Sequence, residues 1–225
     1  MTIRAKLYAA IVLTVLGPLA TVAVALHGMS QLGDSFDEVQ ERAQHESLAR
    51  EIKFTVTDMN GWQTAYGYDG TGRFRGEFDL SANKLRQDLA DGRETLTEPP
   101  EQAALNRLEQ EFDQFIALDE IAFRELQEGN DARVKQIFLG PELVRFKAMA
   151  ATAEELAAYE AERAEAADRA FDEDRDEARR QLIAVALGAA VVILLLLVTA
   201  NDVARMALEG ERSSRGEPKD EQDLH

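Results

Sequence analysis

The chain has 225 residues, a formal net charge of −17 and no cysteine. That charge argues against a nucleic-acid or anionic-headgroup surface, since phosphates are repelled. Without cysteine there are no disulfide staples and no thiolate metal sites.

The first element, taken as residues 7–27, reads LYAAIVLTVLGPLATVAVALH and contains no charge. It has the roughly 20 apolar residues that a helix needs to cross a bilayer. Arg4 and Lys6 precede it, which places residues 1–6 in the cytoplasm by the positive-inside rule. Ala23-Val24-Ala25 also fits a signal-peptidase pattern. The helical periodicity that continues through LHGMSQLGDSFDEVQ favours a retained membrane helix over a cleaved signal.

Residues 28–180 form the extracytoplasmic domain on this reading, and four helical stretches are expected in it. The first covers about 29–66, with Met29, Leu32, Phe36, Val39, Ala43, Leu48, Ile52, Val56, Met59, Trp62 and Tyr66 on its apolar face. Its five-residue step from Ala43 to Leu48 breaks the heptad. The second covers about 73–96, with Phe74, Phe78, Ala82, Leu85, Leu89 and Leu96 on one side. Pro99-Pro100 opens the third, about 101–128, because proline suits the first turn of a helix. The fourth begins with Asp131 as N-cap, is kinked by Gly140-Pro141, and runs towards the second membrane segment. Short connections between long amphipathic helices predict an all-α fold, an antiparallel up-down four-helix bundle flanked by two transmembrane helices.

The second uncharged run, within 181–200, reads LIAVALGAAVVILLLLVTA and is the second crossing. It returns residues 201–225 to the cytoplasm as a short polar tail, expected to be disordered. Before it, Ala157, Ala161, Ala164 and Ala167 allow close helix approach, against the first helix or a second subunit.

Enzyme motifs are missing, so no catalytic residue, cofactor or catalytic activity is expected. The three histidines, His27, His45 and His225, are not spaced to share a metal; no metal site is expected, and His45 reads as a surface residue. Gly70-Thr71-Gly72-Arg73-Phe74-Arg75-Gly76 has the wrong spacing for a phosphate loop and reads as a turn. Around that turn Trp62, Tyr66, Arg73 and Arg75 are the candidate ligand-binding residues: aromatics and two guanidiniums can hold a small anion. The simpler alternative has the aromatics, with Phe74, capping the core while Arg73 and Arg75 pair with Asp69 or Glu77.

The segments GMSQLGDSFDEV, DMNGWQTAYGYDGTG and LQEGNDARVKQIFLGPELVRFKAM resemble the four-helix-bundle sensor region of bacterial methyl-accepting chemotaxis receptors. The resemblance spans residues 1–200. It implies a periplasmic or extracellular bundle, dimerisation through its first and fourth helices, and detection of small molecules. It transfers no ligand-binding residue to a position here. In that family a HAMP linker and a cytoplasmic signalling hairpin follow, and NDVARMALEGERSSRGEPKDEQDLH contains neither. The expected function is a sensory module that signals through a partner chain, as a homodimer or a heterodimer with a full-length receptor. The alternative is a membrane-anchored interaction protein with no small-molecule ligand.

Overall fold

The computed structural model describes residues 3–214, and the side chains of residues 12, 14–202, 204, 205 and 208. All its elements are helices: α1 (Ile3–Asp69), α2 (Arg75–Thr95), α3 (Pro99–Gln127), α4 (Asp131–Ile137) and α5 (Leu143–Ser214). Two compact units result, one of residues 35–171 and one of residues 1–34 with 172–225.

In the first unit the buried faces follow a heptad. α1 buries His45, Ala49, Ile52, Val56, Met59, Gln63 and Tyr66, and α3 buries Glu101, Leu105, Leu108, Phe112, Phe115, Asp119 and Leu126. Steps of three and four residues keep such positions on one side of a helix. Phe78, Leu85 and Leu89 of α2, Val134 of α4, and Met149, Ala153 and Leu156 of α5 complete a single apolar core. The expected stripe on α1 needs correction at its start. Met29, Phe36 and Ala43 are exposed, and the buried face begins at His45, where a polar side chain occupies a core position. His45 is therefore not a surface residue: only 5% of it is accessible.

The turns fall where the sequence placed them. Gly70 and Gly72, at φ 68° and 71°, make the turn between α1 and α2 in a region that favours glycine. α2 begins only at Arg75, two residues later than expected. Pro99 and Pro100 occupy the first turn of α3, and the Glu98 backbone N–H donates to the Glu101 carboxylate at 2.7 Å. Asn130, not Asp131, precedes α4 at the N-cap position, and its side chain makes no capping bond. Proline lacks a donor and crowds the preceding turn, and the chain breaks at Phe138–Glu142, where Gly140 takes φ −110° and ψ −110°.

Part of the alanine face offered to a partner is occupied within the chain. Ala157 and Ala167 are buried, and the Phe36 and Phe171 rings lie 6.2 Å apart.

In the second unit, α1 and α5 each contain a stretch long and apolar enough to cross a membrane, and none of either stretch is buried. A β-carbon on Gly28 would sit 3.7 Å from the Ala178 β-carbon, ordinary contact. α5 continues to Ser214, so the tail expected to be disordered is helical that far. Ala, Met, Leu, Glu and Arg are frequent in 201–214, and all favour helix. Residues 215–225 lie outside the described part.

Gly67 has a packing role. A β-carbon there would fall 2.1 Å from Cε2 of Phe138, a ring packed against the core. Overpacking of this kind costs about 1–3 kcal/mol. Gly67→Ala is expected to lower the denaturation midpoint by that order, and Gly67→Ala combined with Phe138→Leu to recover part of the loss. An unchanged midpoint in the single variant would contradict the contact.

Candidate functional site

Besides Thr55, Ser81 and Asp88 between α1 and α2, buried polar residues interrupt the apolar core at two levels that each draw one residue from α1, one from α3 and one from α5 or the segment leading into it. The level near the α1–α2 turn contains Gln63, Asp119 and Glu142; the other contains His45, Glu101 and Glu160. His45 and Gln63, Glu101 and Asp119, and Glu142 and Glu160 are all 18 residues apart. Five helical turns cover that spacing, so both residues of each pair fall on the same helix face.

At the first level, Gln63 Nε2 donates to Asp119 at 3.4 Å and also to Glu142. The Tyr66 hydroxyl and Arg75 Nη1 donate to Asp119 as well. The Arg75 guanidinium lies 4.7 Å from the centroids of both Phe78 and Phe123. Cation–π attraction and ion pairing with Asp119 hold it in place. Burial pushes the Asp119 carboxyl up, against the pull of Tyr66, Arg75 and Gln63. Burial beside Asp119 raises the Tyr66 hydroxyl, which remains protonated. Burial, reinforced by Asp119, pushes Glu142 up to about 9. Oε2 of Glu142 has no hydrogen-bond partner. Beside this cluster a cavity of about 300 Å³ is lined by Asn60, Gln63, Thr64, Gly67, Phe138 and Leu143, among others.

At the second level, His45 Nδ1 faces Glu101 Oε1 and Glu160 Oε2, each at 3.8 Å. His45 Nε2 is 3.8 Å from the exposed Glu41 carboxylate. Burial and the neighbouring Glu101 push Glu160 up to about 8. At the edge, Glu98 accepts from Arg42 at 2.9 Å and from the Tyr159 hydroxyl at 2.9 Å, and pairs with Arg163 at 2.6 Å.

The four candidate residues separate into two pairs. Tyr66 and Arg75 join the first polar level. Trp62 stacks obliquely on Phe74, with ring centroids 6.0 Å apart, and the exposed Arg73 lies 5.3 Å from the same ring. Arg75 pairs with Asp79 at 2.9 Å and with Asp119, not with Asp69 or Glu77 as expected. Its charge is already matched by two carboxylates, which removes it as a free anion holder. Sequence reasoning missed Gln63, Asp119, Glu142, Glu101 and Glu160. The available signal was polar residues at heptad core positions, repeated after 18 residues.

No family model, curated protein or solved structure matches the chain.

The position of Glu142 predicts a pH dependence. Its folded value of about 9 lies above the ordinary 4.5, so folding takes up a proton. The associated stability is fully present below about pH 4.5 and is lost as pH rises through about 9, with a slope of up to ~1.4 kcal/mol per pH unit. Glu142→Gln keeps an acceptor for Gln63 and removes the titration. Denaturation midpoints of the variant are expected to exceed wild type near pH 8 and to converge with it near pH 4.5. Parallel profiles would refute a neutral buried carboxyl.

Proposed function

We propose that the chain is a membrane-anchored sensory module of the chemoreceptor type, without catalytic activity, in which residues 28–180 detect a small extracytoplasmic molecule. The observation that carries this reading is the cavity beside Gln63. The Gln63 amide ties α1 to Asp119 on α3 and to Glu142 at the break before α5. A small polar molecule in the cavity competes for that amide. It thereby favours one arrangement of three chain segments over another, as a ligand-driven shift requires. The polar lining comes from Asn60, Gln63, Thr64 and Lys135, alongside Phe138 and Leu143, which suits a small amphiphilic metabolite.

The order of contacts supports an antiparallel up-down bundle. On α1 and α2, Arg42 meets Glu98 just beyond α2, Thr55 meets Asp88, and Tyr66 meets Phe78. On α2 and α3, Phe78 meets Phe115 and Arg93 meets Glu109. On α3 and α5, Arg107 meets Glu155 and Glu111 meets Arg145. One partner number falls as the other rises in each set.

The exposed apolar stretches of α1 and α5 support two membrane crossings, with both termini cytoplasmic. An apolar groove between them, lined by Gly17, Pro18, Thr21, Gly188 and Val192, supports association in the bilayer with a second copy or a full-length receptor. The interaction-protein reading has its own support in Phe54 and Leu80, large apolar side chains 69% and 66% exposed.

Thermal denaturation of the full chain in detergent against a metabolite panel separates the two readings. A ligand at 100 times its dissociation constant is expected to stabilise the protein by about 2.7 kcal/mol. Thr64→Leu, which fills the cavity wall, is expected to abolish the shift. A panel without effect, with membrane pull-downs that recover a stable partner lost on Phe54→Ser, favours the interaction protein.

Because the chain has no cysteine, topology can be read with single substitutions. Glu128→Cys is expected to react with an impermeant maleimide on intact cells, and the mature N-terminus is expected to retain residues 7–27. Labelling only after lysis would overturn the orientation.

A further inference from the structure

Three side chains at the second polar level face one another. His45 Nδ1, Glu101 Oε1 and both Glu160 oxygens are buried and have no hydrogen-bond partner. One donor atom from each residue lies within 4.8 Å of the other two. The two His45 contacts, at 3.8 Å, are too long for hydrogen bonds. Two carboxylate oxygens and an imidazole nitrogen around one point, out of water, are stabilised by a proton shared between the acids or by a cation at that point.

The nearby guanidiniums make their shortest contacts at the edge of the level. Arg42 and Arg163 both pair with Glu98. The other Arg42 nitrogen makes a long ion pair of 4.0 Å to Glu101, beyond hydrogen-bond distance. We propose that His45, Glu101 and Glu160 form a binding site for one transition-metal dication of the zinc class, with a coordination position left open. This site is distinct from the cavity beside Gln63.

The chemistry of the donors selects the metal. One imidazole and two carboxylates suit Zn²⁺ and its neighbours, whereas Mg²⁺ and Ca²⁺ take six or more oxygens. Bonds of about 2.0–2.2 Å to a tetrahedral zinc bring donors to about 3.4 Å from one another. The two His45 contacts need a contraction of about 0.4 Å from 3.8 Å, and the Glu101–Glu160 pair closes from a separation within 4.8 Å. Two carboxylates neutralise the dication. Glu41 lies 3.8 Å from His45 Nε2; a contraction to hydrogen-bond distance would let it orient the imidazole, as carboxylates commonly do for metal-bound histidine. Glu41→Gln is then a positioning variant, expected to weaken binding about tenfold without removing it.

The test uses the full chain, purified in detergent, stripped with chelator and titrated with ZnCl₂. One equivalent is expected to bind and to raise the denaturation midpoint, and chelator should reverse both. Co²⁺ in its place should give the visible absorption of a low-coordinate nitrogen–oxygen site. Glu160→Gln retains shape and is expected to fold while losing about 100-fold or more in affinity, beyond the loss typical of outer-shell changes. His45→Gln should behave likewise. Should neither variant fold, the wild-type protein labelled with ¹⁵N-histidine decides: zinc must shift the Nδ1 resonance of one histidine of the three, at one equivalent. The proposal is overturned by an absence of stoichiometric binding, which leaves a shared proton as the cation. It is equally overturned by unaltered affinity in both folded variants, which assigns the metal to surface carboxylates.

Discussion

The constraint on which the helical domain depends is the burial of acids at positions that a heptad reserves for apolar residues. Glu101, Asp119, Glu142 and Glu160 are each no more than 1% accessible. Desolvating an ionised carboxylate costs several kcal/mol unless it is protonated, paired or hydrogen-bonded. Each acid must therefore meet its partner, and the partners lie on different helices. Leucine and phenylalanine alone would pack acceptably after a seven-residue slip of α3 against α1. With the acids in place, that slip carries Glu101 to the level of Ile52 or Asp119 to that of Val56. The apolar core between the two levels contributes most of the stability, while the polar levels fix which faces meet.

A break in the backbone sits beside one level only. Gly140 and Pro141 immediately precede Glu142, so the acid bonded by Gln63 lies at the end of α5 where regular helix begins. Glu160 is set within continuous helix. A rearrangement of the break can move Glu142 with little disturbance to α5, whereas movement of Glu160 requires the helix to shift as a body. This gives the level near the α1–α2 turn the freedom that a ligand-responsive element needs and gives the other the stiffness of a clamp. The cavity lies on the side of the break, with Phe138 and Leu139 in its wall. Opening free energies within a fold are lowest where local packing is interrupted.

The helices and their turns were legible because they depend on local chemistry. Pro99-Pro100 starts α3, Gly140-Pro141 breaks the fourth stretch, and Gly70 with Gly72 turns the chain, each for reasons contained in a few neighbouring residues. The candidate site was less legible because its members are far apart in sequence. Reading for metals looked for histidines spaced to ligate together, and a site made from one residue on each of three helices has no such spacing. Reading for charge treated acids as solvated surface, the common case. Glu101 was hidden by its position in the first turn of α3, where an acid has a ready role at the helix end. Arg75 was recognised, but its partners were sought within a few residues, and Asp119 lies across the core on α3.

The two levels also show why similar arrangements can differ in chemistry. Each combines acids with polar side chains from α1, and the difference lies in the cation that completes it. Arg75 enters the first level over the Phe78 and Phe123 rings, and reaches Asp119 because those rings guide the guanidinium inward. The remaining acid, Glu142, is held neutral by burial and a single amide bond. That level is complete in itself. At the second level no ring directs Arg42 inward, and Glu98, at the N-cap of α3, binds both arginines at the edge. A carboxylate in partly exposed surroundings is the less costly partner for a guanidinium, since neither group need lose all its water. Glu98 thus holds both guanidiniums at the edge, and only the long Arg42–Glu101 pair at 4.0 Å brings their charge to this level. On the proposal above, the cation that completes this level comes from solution.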